Sequence, residues 1–399
     1  MHISRLAKIF ALYIMRLFSI INIVIPKKDN TILFFSNNYN FNDNNKALLQ
    51  LMLDRGYNNK YKIYVSTPDP IKEKNSVKNV THIPTLLAPF IFLNAKFCFY
   101  DGGTLKIKPS KSQMVISLWH GIPLKKIGIL ANEQLTALDR YDDFTKIIVP
   151  HSSLSQIFED SFGCSKDKIL INGYPKNDHL FIKNPLVWQL MSRQQGDYKK
   201  SILWMPTFRR SINGRYSDGV SSDDELDLPI LKSIDDIVKL NSFLKNLSLL
   251  FVIKLHPYSS LNNELVNLPN LSNISLVRND DLNSTKIINY QFVNAFDGLL
   301  TDYSSIYFDY LLLDKPIGFT IDDIEKYENT RGFNFPNPLA LMPGSKISTY
   351  NELCHYLSTF MQPDEDEYKK FRNQIRNQFH EYHHGNATES LLNFIKLKK

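Results

Sequence analysis

Gln113-Met114-Val115-Ile116-Ser117-Leu118-Trp119-His120-Gly121 is the stretch that decides the fold. Its first seven residues read as a strand buried on both faces, as strands of a parallel sheet are. A histidine stands at the carboxyl end, and Gly121, Pro123, Lys125 and Lys126 follow. In open α/β sheets ligands bind beyond the carboxyl ends of the strands. His120 is therefore expected to face a cleft rather than a core. Imidazole titrates near neutrality and suits a general base. The alternative is a capping or packing histidine.

Outward from this strand the same pattern repeats. Apolar runs at 31–36, 62–66, 95–100, 146–150 and 168–172 read as strands, with helical stretches at 46–55 and 152–162 between them. Strands alternating with helices imply a mostly parallel sheet. Gly173-Tyr174-Pro175 and Asn184-Pro185 break the pattern, and it restarts with runs at 201–205, 249–255, 298–301 and 316–320. Residues 211–227, rich in Ser, Asp and Gly, read as a long loop. Residues 364–382 and 386–397 read as helices. The expectation is an α/β protein of two Rossmann-like domains, 29–180 and 181–399, with a central cleft and a separate helix at 1–28.

The strand ends of the second half supply further candidates. His256 follows the run 249–255 directly, with Lys254 at its end, and is placed to donate a hydrogen bond to a phosphate oxygen. Thr301-Asp302-Tyr303-Ser304-Ser305 joins a strand to a helix at 306–313. Ser304 or Ser305 is expected to cap that helix, where free N–H groups form an anion site; simple capping without a ligand is the alternative. The turn lacks glycine, so it is neither a P-loop nor a dinucleotide fingerprint. Thr207, Arg209 and Arg210 end the strand 201–205, and arginine pairs bidentately with phosphate; surface arginines are the alternative. Asp364-Glu365-Asp366 reads as an acidic first helical turn, and no metal-ligand cluster is found.

Composition narrows the partners. The chain has 399 residues, 43% apolar and 22% charged, with 26 Phe and 20 Tyr, enough to bury a core and exclude wholesale disorder. A net charge of +7 favours anionic partners, but no nucleic-acid module or zinc spacing occurs, so nucleic acid is not an expected partner. Cys98, Cys164 and Cys354 are an odd, scattered set, which fits a reducing compartment. Near the start, Ser4, Arg5, Lys8, Arg16, Ser19 and Asn22 fall within about a third of a helical wheel, a stripe that Leu12, Met15 and Ile23 violate, opposite a wide apolar face. Such a helix suits a membrane interface. It could instead pack on the protein's own surface, and Arg16 in its middle counts against a span.

Taken in order, these motifs resemble the CDP-glycerol glycerophosphotransferase family. The matching pieces are Trp119-His120-Gly121-Ile122-Pro123-Leu124-Lys125, Gly173-Tyr174-Pro175-Lys176-Asn177-Asp178, Met205-Pro206-Thr207-Phe208-Arg209, His256-Pro257-Tyr258 and Thr301 to Asp309. Asp314-Lys315-Pro316, Arg331-Gly332-Phe333, Met342-Pro343-Gly344 and Phe379-His380-Glu381-Tyr382 also fit.

The resemblance implies a GT-B fold, peripheral attachment to the cytoplasmic face of a bacterial plasma membrane, and no cofactor. It implies a CDP-glycerol or CDP-ribitol donor and a lipid-linked glycan or polyol-phosphate acceptor, used in teichoic acid or capsule synthesis. It leaves room for a homo-oligomer. His120 matches the family's proposed base, and His256, counted with it as catalytic, a group expected around the pyrophosphate. Arg209, Ser304 and Ser305 match groups around the pyrophosphate, with Gly121, Lys125, Thr207, Thr301 and Asp302 completing the substrate-binding set. Lys176, where the family often has Arg, and Thr388-Glu389-Ser390 in the last helix depart from the pattern. A GT-B glycosyltransferase using a nucleotide sugar is the enzymatic rival, and a non-catalytic membrane scaffold the other.

Overall fold

The computed structural model describes residues 5–36, 41, 43–70, 77–101, 103–131, 141–191, 198–207, 226, 228–255, 271–362 and 366–397. Within them two parallel sheets carry the chain, one of seven strands and one of six. The chain divides into two units. The first comprises Met1–His120, Ile127–Asp178 and Phe379–Lys399, and the second Gly121–Lys126 and His179–Gln378.

The sheet of the first unit contains β1 (Lys28–Ser36), β2 (Lys62–Thr67), β3 (Val80–Pro84), β4 (Ala95–Asp101), β5 (Met114–Ser117), β6 (Lys146–Val149) and β7 (Ile169–Ile171). Their order is β3-β2-β1-β4-β5-β6-β7. The chain winds outward from β1 to β3, returns so that β4 pairs with the free side of β1, and winds outward again to β7. Ile32, Leu33 and Phe34 of β1 are wholly buried, because the strand is covered on both faces. Helices α1 (Arg5–Val24), α2 (Asp43–Asp54), α3 (Ala88–Asn94) and α4 (Ser155–Phe162) belong to this unit.

The second sheet repeats the plan with β8 (Lys200–Met205), β9 (Leu249–Lys254), β10 (Ile274–Val277), β11 (Gly298–Thr301), β12 (Ile317–Thr320) and β13 (Ser345–Ile347), in the order β10-β9-β8-β11-β12-β13. Helices Ile234–Leu247 and Tyr350–Phe360 each begin with a reciprocal capping box, Ser233 with Asp236 and Thr349 with Glu352. Leu240, Leu244, Leu353 and Leu357 from these helices join Trp204 and Phe251 of the sheet in one apolar core.

Several expectations change. β3, β10 and β13 went unread, and all three are edge strands whose short sequences mix polar and apolar residues. The last helix, Ala387–Ile395, packs on the first unit although the sequence reading gave it to the second. Asp178 accepts from the amides of Ala387 (2.9 Å) and Thr388 (2.8 Å), capping the helix from afar. Gly173 permits the close approach, since a Cβ there would stand 2.8 Å from that of Ala387. Asp366 is not in a first helical turn: the helix begins at Lys369, and Asp366 instead pairs with the buried Arg372. Asp364 and Glu365 lie outside the described residues.

The polar stripe of α1 also turns out differently. Its carboxyl-terminal half faces the protein. Asn22 is buried and donates to Lys108 O (3.0 Å) and Gln113 Oε1 (2.7 Å), and Ser19 Oγ accepts from the Lys108 amide (2.9 Å). Tyr13, Leu17, Ile20, Ile23 and Val24 are left exposed. Phe18 meets Phe90 edge-on at 5.4 Å, and Leu86, Leu87 and Phe90 are likewise exposed. Among the described residues, no helix is long and apolar enough to cross a membrane.

Candidate active site

In the first unit the site is built at the end of β5. Leu118 still pairs with the sheet, its amide donating to Tyr100 O (2.8 Å). Trp119 then turns the chain with φ 51°, a left-handed conformation that costs a non-glycine residue about 1–2 kcal/mol. Two side chains hold the turn. Asn44, at the start of α2, donates to Trp119 O (2.6 Å), and Lys176 Nζ donates to His120 O (2.7 Å). The two are tied together, since the Lys176 amide donates to Asn44 Oδ1 (3.1 Å). The Trp119 ring lies 3.9 Å from the His120 ring and is wedged edge-on against Phe162 of α4 at 4.8 Å.

Burial, and then the nearby Lys176 ammonium, lower the His120 imidazole to about 4. Part of the residue is nonetheless open to water, which softens the desolvation penalty. Both causes act against the imidazolium, so His120 is a neutral base at physiological pH.

In the second unit the candidates gather where the strand order reverses, between β8 and β11, the place where such sheets bind ligands. Thr207, just past β8, donates to Asp302, just past β11, through its amide (2.8 Å) and its hydroxyl (2.5 Å). Thr301 Oγ1 donates to Met205 O (2.7 Å). Thr301 and Asp302 are buried, so their side chains fasten the two strand ends together, while Ser304 and Ser305 are only half-buried. Ser305 occupies the cap position of helix Ile306–Tyr310 with helical dihedral angles and makes no side-chain cap bond. Ser305 therefore does not supply the expected cap.

Gly121 and Lys125 join this second group. A Cβ on Gly121 would lie 2.8 Å from Ser305 Oγ, so any side chain here would press on Ser305. Asn334 stitches the segment down, its amide donating to Leu124 O (2.9 Å) and its side chain to Pro123 O (2.9 Å) and Lys125 O (2.7 Å). Lys125 Nζ sits over the Tyr327 ring at 5.2 Å. Arg209 and His256 lie outside the described residues, as do 211–225 and 227.

Asn44, Lys176 and Asn334 were not among the candidate site residues. Asn44 and Trp119 are 75 residues apart, so no local pattern links them. His151 also follows a strand, but its Nδ1 accepts from the Ser153 amide (3.1 Å) and caps the next turn.

The family model described as CDP-Glycerol:Poly(glycerophosphate) glycerophosphotransferase matches residues 17–397. The chain is 27% identical over 335 residues to a teichoic acid glycerol-phosphate primase of Bacillus subtilis (strain 168), covering 80% of this chain and 77% of that protein. It is 26% identical over 354 residues to a teichoic acid poly(ribitol-phosphate) polymerase of Bacillus spizizenii, spanning 82% of this chain but 52% of that longer protein. The solved structure of the wall teichoic acid polymerase TagF superposes with a TM-score of 0.71 at 23% identity, over 92% of this chain and 88% of that one, and shares the fold. From the model match over nearly its whole length, this chain belongs to the CDP-glycerol:poly(glycerophosphate) glycerophosphotransferase family.

Proposed function

We propose that the protein transfers glycerol phosphate, or ribitol phosphate, from the CDP-activated polyol to a hydroxyl of a lipid-linked acceptor in teichoic acid synthesis or in that of a phosphate-linked capsule. The observation that carries this reading is His120, a strand-end imidazole kept neutral by its surroundings. Phosphoryl transfer needs in-line positioning and charge stabilisation more than covalent chemistry. His120 takes the proton from the acceptor hydroxyl as its oxygen bonds to the second phosphorus of the donor. The bond from that phosphorus to the bridging oxygen breaks, and CMP leaves with the electron pair. Ser304, Ser305 and Lys125 offer hydroxyl and ammonium donors to the pyrophosphate, with Arg209 and His256 assigned to the same task by the family resemblance. Asp302 acts through Thr207, which it orients.

The exposed apolar residues of α1, together with Leu86, Leu87 and Phe90, support a peripheral membrane attachment beside such an acceptor. On this reading the protein works at the cytoplasmic face of the plasma membrane.

The test is to incubate the purified protein with CDP-glycerol or CDP-ribitol and a lipid-linked acceptor, following CMP release and product mass. Transfer by the wild type, with a loss on the order of 10²–10⁴-fold in His120→Ala, is expected. Sugar transfer from a UDP- or GDP-sugar, without CMP from either CDP-polyol, would overturn the reading.

A further inference from the structure

We infer that Asn44 and Lys176 are positioning residues for His120: together they lock the left-handed Trp119 turn that aims the imidazole. The inference rests on the reading of His120 as the base. It stands on geometry within the first unit. The carbonyls of two consecutive residues, Trp119 and His120, each receive a bond from a different buried side chain, at 2.6 and 2.7 Å. The Lys176 amide closes the ring by donating to Asn44 Oδ1 at 3.1 Å. The turn thus cannot relax toward extended backbone without breaking a buried bond of Asn44 or Lys176.

Such a device would be superfluous if His120 were only a packing residue, because the residue as a whole is exposed. A left-handed tryptophan is an uncommon state that persists where surrounding structure over-determines it, and such states cluster at functional sites. The Trp119 ring transmits the turn to the imidazole, being packed between it and Phe162.

Lys176 has a second effect through its charge. Its ammonium opposes protonation of His120. Among the described residues, α2 presents the amide of Asn44 here, and α4 meets the Trp119 ring with Phe158 and Phe162. The two residues thereby divide the work. Asn44 fixes orientation alone, and Lys176 fixes orientation and protonation state.

The experiment uses the full-length protein with 15N-labelled histidine, titrated by NMR without substrate, alongside steady-state kinetics with CDP-glycerol. Lys176→Gln can still donate to the carbonyl but lacks the charge. It should shift the His120 titration, and the acid limb of kcat/KM, upward. Lys176→Arg should keep both near wild type. Asn44→Ala should lower kcat at least tenfold, with little change in KM for CDP-glycerol and a smaller shift in titration than Lys176→Gln. Lys176→Met, losing both bond and charge, should show both defects; should it fail to fold, the Gln and Arg variants carry the test. If His120→Asn is inactive while Lys176→Gln leaves the titration unmoved and Asn44→Ala keeps full kcat, the positioning role is overturned and the base remains. If His120→Asn is fully active, the reading of the base falls, and the positioning role with it.

Discussion

At the scale of single residues, the site depends on a few short bonds whose removal has distinct signatures. Thr207→Val deletes the hydroxyl donor to Asp302 and leaves a buried carboxylate short of one partner. A stability loss of about 1–3 kcal/mol is expected, measurable by urea unfolding. Gly121→Ala should leave the fold intact but push Ser305 aside, lowering kcat/KM for CDP-glycerol on the order of tenfold to a hundredfold. The depressed His120 also has a sign for stability. Its folded pKa of about 4 lies below the ordinary 6.5, so the unfolded chain binds the proton more readily. The stabilisation is complete above the ordinary value and is lost as pH falls toward 4. His120→Asn should therefore flatten the decline in melting temperature across that window. The sequence exposes His120 because a strand and a glycine turn bracket it. It hides Asn44 and Lys176, since hydrogen bonds to backbone carbonyls leave no periodicity and no motif.

At the scale of elements, the strands were legible where burial on both faces forces an unbroken apolar run, as in Leu249–Lys254. They were illegible at the sheet edges, where Val80–Pro84 and Ser345–Ile347 are partly open and tolerate polar residues. The helix α1 was readable as amphipathic but not in its orientation. Asn22 and Ser19 find partners around residues 108–113 that no wheel projection can anticipate. The apolar face that remains is continuous in kind with Leu86 and Phe90, which gives the membrane reading a direct test. Replacing Leu17, Ile20 and Leu86 together with Glu should abolish co-flotation with vesicles containing anionic lipid, while far-ultraviolet circular dichroism stays unchanged. Unchanged flotation would remove the membrane reading and leave the chemistry untouched.

At the scale of the whole molecule, the plan of two parallel sheets was legible from the restart of apolar runs after Gly173. The chain's route between the units was not, because Gly121–Lys126 and the last helix are assigned by packing rather than by sequence position. The second unit has an ionic fastening of its own: the buried Arg372 binds both oxygens of the more open Asp366, and its guanidinium also meets Asp314 at 3.5 Å. Arg372→Met should destabilise that unit by about 2 kcal/mol through lost charge-assisted hydrogen bonds, read as a lowered midpoint of the corresponding unfolding transition. The caps that Asp178 provides at Ala387 and Thr388 have a consequence for biosynthesis. A ribosome releases the sheet of the first unit early but its closing helix only after the whole of the second unit has been made. The first unit is thus finished last, after the second has had every residue it needs. Until then its nascent sheet lacks its final cover and is open to chaperones and proteases, so damage to residues 379–397 should show first as degradation of the amino-terminal half.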